Sequence, residues 1–158
     1  MDWIRRLGLR CIGVAEQVQI LEYRPRFGLR DDRSQAIAMW LNLNAKSEIK
    51  GWHVGLTTST LGFADFDDEP FYKVYRFADE AKRVLNCRVA IFKTGGGYHV
   101  VALKPLSERE WRWFYKYAIK CDADHLQATL ALRKHRATLR VSPKNGSQPR
   151  LVMILEPD

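Results

Sequence analysis

The sequence predicts an α+β fold, a mainly antiparallel split βαβ sheet with helices on one face. Three observations point there. Short β-branched and aromatic runs alternate with amphipathic helical stretches in the order strand, helix, strand, strand, helix, strand. Gly95-Gly96-Gly97 separates two of those runs in the manner of a hairpin. A chain of 158 residues, 46% hydrophobic and 28% charged, has the size and balance of one ordinary globular core.

Residues 1–50 are the least patterned and are read as an N-terminal module packed on a core of residues 51–158, one compact unit overall. Cys11 to Tyr23 suits a strand, although Ala15-Glu16-Gln17 suits a helix equally well. Arg24-Pro25-Arg26-Phe27-Gly28 is a turn or an exposed basic loop. Ser34 to Asn44 reads as a mostly buried helix, with Ser34 as its N-cap. Val54 to Phe66 reads as one long or two short strands running into Asp65-Phe66-Asp67.

Pro70 interrupts the pattern, and apolar residues from Val74 to Leu85 then recur at three- and four-residue spacing as a helix. Arg88 to Phe92 and Tyr98 to Leu103 are the strands on either side of the glycine turn. Ser107 caps a second helix, and Glu108 and Glu110 suit the positive end of its dipole. Its Trp111 to Tyr117 segment reads as core plus an amphipathic rim. A third helical stretch covers Asp124 to His135. Thr138 to Val141 and Leu151 to Leu155 are read as a last hairpin across Pro143-Lys144-Asn145-Gly146.

The net charge of +8 and pI near 9.6 favour polyanionic partners, because each cation that neutralises a phosphate releases counterions. Cys11, Cys87 and Cys121 form no Cys-x-x-Cys pair, which argues against a zinc ribbon and a disulfide framework. The first residues lack the apolar run of a signal peptide or a bilayer span, so the expectation is an intracellular protein with no membrane partner.

Asp65 and Asp67 are two apart on a strand, so they leave the same face as Phe63, while Ala64 and Phe66 point to the core. Adjacent carboxylates repel unless a cation lies between them. Mg²⁺ or Mn²⁺ is the usual solution, as it leaves coordination positions for substrate phosphates. The competing reading is a solvated acidic strand end, with Asp68 and Glu69. Three glycines exceed what a hairpin requires and allow main-chain N–H groups to approach a phosphate. Lys93, Thr94 and Gly97 are therefore nucleotide-binding candidates, with His99 as a donor just beyond. The segment is no Walker A loop, and Val101 excludes the His-hydrophobe-His site of replication-initiator nucleases.

Gly62-Phe63-Ala64-Asp65-Phe66-Asp67, Thr94-Gly95-Gly96-Gly97-Tyr98-His99 and Leu139-Arg140-Val141-Ser142-Pro143-Lys144 together resemble the archaeo-eukaryotic primase superfamily over about residues 52–145. That family carries hydrophobic-Asp-x-Asp/Glu on one strand, then a Ser/Thr-Gly-x-Gly-x-His-like segment after one helix and one strand, then a further acid. The resemblance implies an RRM-like core. It implies that Asp65 and Asp67 bind catalytic Mg²⁺ or Mn²⁺, with Asp122 or Asp124 as the third acid. It places His99, Thr94 and Gly97 on the phosphates of an NTP or dNTP, and Arg140 and Lys144 on the triphosphate or template. The chain departs from the pattern in lacking the zinc-binding Cys/His cluster of some members.

Arg24, Arg26 and Arg30 flanking Phe27, and Arg133, Lys134, His135 and Arg136, suit a single-stranded nucleic acid, or else solvated loop and helix ends. The resulting expectation is a metal-dependent nucleotidyltransferase acting on single-stranded or primed DNA or RNA, with a helicase or other replication protein as a partner. A non-catalytic nucleic-acid-binding module and a metal-dependent nuclease are the alternatives.

Overall fold

The computed structural model describes residues 9–15, 18–23, 53–140, 147 and 149–158. The elements in chain order are β1 (Leu9–Ala15), β2 (Val18–Tyr23), β3 (His53–Thr58), β4 (Gly62–Asp67), α1 (Phe71–Leu85), β5 (Val89–Lys93), β6 (Gly97–Ala102), α2 (Glu108–Lys120), α3 (His125–Lys134), β7 (Ala137–Arg140) and β8 (Arg150–Leu155). The fold is α+β, with two four-stranded sheets among the described residues. The Ser34–Asn44 helix and the Arg24–Gly28 loop expected from the sequence lie outside the described residues.

The first sheet has the order β1-β2-β3-β7. β1 and β2 are antiparallel, β2 runs parallel to β3, and β3 is antiparallel to β7. The segment Cys11–Tyr23 is thus two strands rather than one strand or a helix. This sheet joins chain from both sides of residue 50.

The second sheet, β4-β6-β5-β8, is antiparallel throughout. β4 and β5 run in the same direction with β6 between them, and α1 connects them, which is the split βαβ arrangement. The expected last hairpin does not form. β7 pairs with β3 and β8 pairs with β5, so the two segments belong to different sheets. β7 pairs along all four of its residues with β3, and β8 pairs with β5 from Arg150 to Leu155.

α1 begins at Phe71, three residues before Val74, because the extended Pro70 at φ −69° sets the entry and Phe71-Tyr72-Lys73 fill the first turn. It ends at Asn86, which takes the left-handed conformation with φ 48°. Val74, Phe77, Ala78, Ala81 and Leu85 form its buried stripe. α2 starts at the expected Ser107 cap, which forms a reciprocal capping box: Ser107 Oγ accepts from Glu110 N–H, and Glu110 Oε1 accepts from Ser107 N–H.

α1 and α2 share one face of the second sheet. Phe66 meets Phe77 at 5.4 Å between ring centroids, and Phe77 meets Phe114 at 5.3 Å. Gly62 is glycine because a β-carbon there would come within 2.9 Å of the Phe114 ring. The other face is buried as well, through Phe63, Phe92 and Val101. Phe63 therefore belongs to the core together with Ala64 and Phe66, and only the end of β4 opens to solvent. No helix among the described residues is long and apolar enough to cross a membrane.

Candidate metal centre at the end of β4

β4 is an edge strand, and an edge presents backbone groups that need partners. Phe63 N–H donates to the Tyr115 hydroxyl at 2.9 Å, and that hydroxyl donates to Leu61 O at 3.2 Å. Gln127 Nε2 donates to Phe63 O at 3.0 Å. Asp124 N–H donates to Asp65 O at 2.7 Å. Groups from α2 and α3 thus close the free edge, and the last of these bonds sets Asp124 beside Asp65. Asp124 is also the N-cap of α3, its Oδ1 accepting from Gln127 N–H at 2.9 Å.

The outcome is a cluster in which one carboxylate oxygen each from Asp65, Asp67 and Asp124 lie within 4.8 Å of one another. Asp65 and Asp124 are half-buried and Asp67 is exposed, so the cluster opens to solvent at the sheet end. His99 is directly opposite Asp65 on β6, and its Nε2 stands 3.5 Å from Asp65 Oδ1. The Asp65 carbonyl points outward to Asp124 and not toward β6, as in a non-hydrogen-bonded pair, where facing side chains come closest. His99 is buried at 6% exposure, the one charged or polar side chain in the core of the described residues.

Three carboxylates at this spacing are a hard, oxygen-rich donor set of the kind a hard divalent cation takes. The imidazole alongside supplies a nitrogen that can donate to or accept from a ligand bound there.

The two candidates for the third acid separate clearly. Asp124 joins the cluster. Asp122 does not: it is exposed, adopts φ 67°, and its Oδ2 accepts from Lys73 Nζ at 2.9 Å. Glu69 holds the same ammonium at 3.1 Å. Asp122 first and Glu69 second raise the Lys73 pKa to about 12.

The glycine turn abuts the cluster, Gly97 being the partner of Asp67. Thr94 N–H donates to Gly97 O at 2.9 Å, closing the turn around Gly95 and Gly96, and Asp68 N–H ties it to β4 through Gly96 O at 2.9 Å. A β-carbon on Gly97 would lie 1.8 Å from Phe66 O, whereas one on Gly96 meets nothing within 4 Å. Gly97 is thus demanded by the approach of β4 to β6. Lys93 leaves the face opposite His99, because Phe92 is the residue paired with His99. Its ammonium lies 4.4 Å above the Tyr98 ring and 3.4 Å from Gly97 O.

Arg133, Lys134 and Arg136 are exposed at the far end of α3, roughly 15 Å along its axis from Asp124. Arg140 ends β7, while Arg24, Arg26 and Lys144 lie outside the described residues. Sequence reasoning missed Tyr115 and Gln127, which hold the edge of β4 from 52 and 64 residues away. No local signal marks such partners.

Together these features define an α+β domain with a metal-compatible acidic cluster at one sheet end. No protein-family model, curated protein or solved structure matches the chain.

Proposed function

We propose that this chain is a metal-dependent nucleotidyltransferase of the primase-polymerase kind, extending a nucleic-acid 3′ end on a template. The observation that carries the reading is the convergence of Asp65, Asp67 and Asp124 with His99 beside them. Asp65 and Asp67 come from one strand and Asp124 from a helix cap, in the order the resemblance requires.

In the proposed reaction the 3′-hydroxyl gives up its proton to solvent and its oxygen forms a bond to the α-phosphorus of an NTP or dNTP. The bond from that phosphorus to the β-phosphate oxygen breaks, and pyrophosphate leaves. The three carboxylates would hold divalent cations, which supply positive charge for the phosphates and the attacking oxygen. His99, fixed against Asp65, is the donor for a phosphate oxygen. The net charge of +8 suits a polyanionic template. A protein that only bound nucleic acid would gain nothing from a carboxylate cluster that repels phosphate.

The test is a primed template with labelled nucleotides and Mg²⁺ or Mn²⁺. Strand lengthening is expected, with loss of activity in Asp65→Asn combined with Asp67→Asn while the thermal melt stays cooperative. Shortening of the labelled strand would identify a nuclease using the same acids. No change of length with either metal refutes the proposal.

A further inference from the structure

A second surface lies on the opposite face of the same sheet end. Tyr98 on β6, Lys93 on β5 and Arg150 on β8 are directly opposite one another in the ladder, so their side chains share the face covered by α1. The start of α1 adds Phe71, 37% exposed, and Tyr75, 38% exposed. Phe71 stands 5.5 Å from Tyr98 and 6.1 Å from Tyr75, at interplanar angles of 52° and 46°. Rings tilted in this way do not stack on one another, which leaves ring surface for a planar ligand.

Among the described residues the cations of this strip have no acidic partner. Lys93 and Arg150 face each other across two strands, where like charges destabilise a sheet. Neither forms an ion pair among the described residues. Of the acids on α1 and its approach, Glu69 pairs with Lys73 and Asp79 with Lys82. Exposed rings next to cations without an acidic partner among the described residues match a ligand that has both planar bases and phosphates.

We infer that Tyr75, Phe71, Tyr98, Lys93 and Arg150 form a binding strip for single-stranded nucleic acid, Phe71 and Tyr75 stacking bases, Tyr98 holding Lys93 in place, and the cations meeting the backbone. A duplex does not fit, because its bases are already stacked. The strip ends where Tyr98 follows Gly97, the partner of Asp67, so a bound strand is led to the acidic sheet end. The inference does not rest on the metal centre and is tested without metal.

The experiment measures fluorescence anisotropy of the full chain in EDTA at low salt. The probes are labelled oligothymidylate, an abasic strand of equal length, and a duplex. Oligothymidylate is expected to bind tightest. Phe71→Ala with Tyr75→Ala should weaken it about tenfold or more, down to the abasic level. Phe71→Tyr with Tyr75→Phe should restore binding. Lys93→Gln with Arg150→Gln should weaken both single strands, lower the salt slope by about 1.4, and keep the preference for bases.

Equal binding of oligothymidylate and abasic strand by the wild type overturns the inference. So does wild-type affinity in the alanine pair, or a base preference removed only by neutralising Arg133, Lys134 and Arg136. Should the alanine pair fail to fold, the lysine–arginine pair decides through its salt slope. Because divalent metal is absent, failure here and failure of nucleotidyl transfer are separate results.

Discussion

Asp124 does two jobs that one pair of substitutions can separate. Its Oδ1 caps α3 by accepting from Gln127 N–H, and its carboxylate completes the acidic cluster. Asp124→Asn keeps an oxygen for the cap and removes the charge, whereas Asp124→Ala removes both. Loss of the cap costs about 1 kcal/mol, with a range of about 0.5–2. The charge works in the opposite direction. Two unit charges at the 4.8 Å limit of the cluster repel by about 1 kcal/mol with water-like screening and by about 3–4 kcal/mol at an effective dielectric of 20. Asp67 is exposed and Asp124 half-buried, so the lower figure applies. Without divalent metal, Asp124→Asn is therefore expected to exceed the wild type by about 1 kcal/mol, or roughly 2–4 °C in Tm. Asp124→Ala should fall near the wild type, as lost cap and relieved repulsion offset. Mn²⁺ should then raise the wild-type Tm progressively, as any ligand of the native state does, and raise neither variant comparably. Thermal melts with and without Mn²⁺ read all of these. The reasoning is refuted if Asp124→Asn is as unstable as Asp124→Ala, or if Mn²⁺ stabilises Asp124→Asn as much as the wild type.

Three other outcomes follow from the same geometry. Gly97→Ala must move Phe66 O or the β6 backbone and should cost about 3 kcal/mol in urea denaturation, while Gly96→Ala should stay within about 0.5 kcal/mol. Equal effects at the two positions would contradict the close approach of β4 and β6. Tyr115→Phe leaves the Phe63 N–H without its partner at the buried edge of β4 and should cost about 1–3 kcal/mol by the same method, so an unchanged midpoint would show that the edge is held otherwise. Burial raises the Cys87 thiol from 9.0 to about 11, so the unfolded chain releases this proton first. Stability is therefore unaffected below about pH 9 and falls between pH 9 and 11, by about 2 kcal/mol at the upper end. Cys87→Ala should remove that part of the decline in denaturation curves recorded below pH 9 and near pH 11.

Much of the fold was legible in the sequence because its rules are local. A period of two put Asp65 and Asp67 on one strand face, and a period near 3.6 marked the buried stripe of α1. The Ser107–Glu110 spacing marked the start of α2, and the glycines marked the turn before His99. Each of these depends on neighbours a few residues away, so composition and spacing suffice.

Tertiary structure decided the rest. The sequence left Asp122 and Asp124 level as candidates; the hydrogen bond from Asp124 to the edge of β4 put one in the cluster, and Lys73 engaged the other. It read residues 138–141 and 151–155 as one hairpin, whereas β7 and β8 pair with β3 and β5. It gave no sign that the carbonyl of Phe66 takes the space a β-carbon would need at Gly97. It grouped Lys93 with His99, and ladder register sent their side chains to opposite faces. Strand order, register and edge closure are selected by which distant groups satisfy one another once the core is packed. Hydrogen bonds and burial spanning fifty or more residues leave no periodic trace in the chain that makes them.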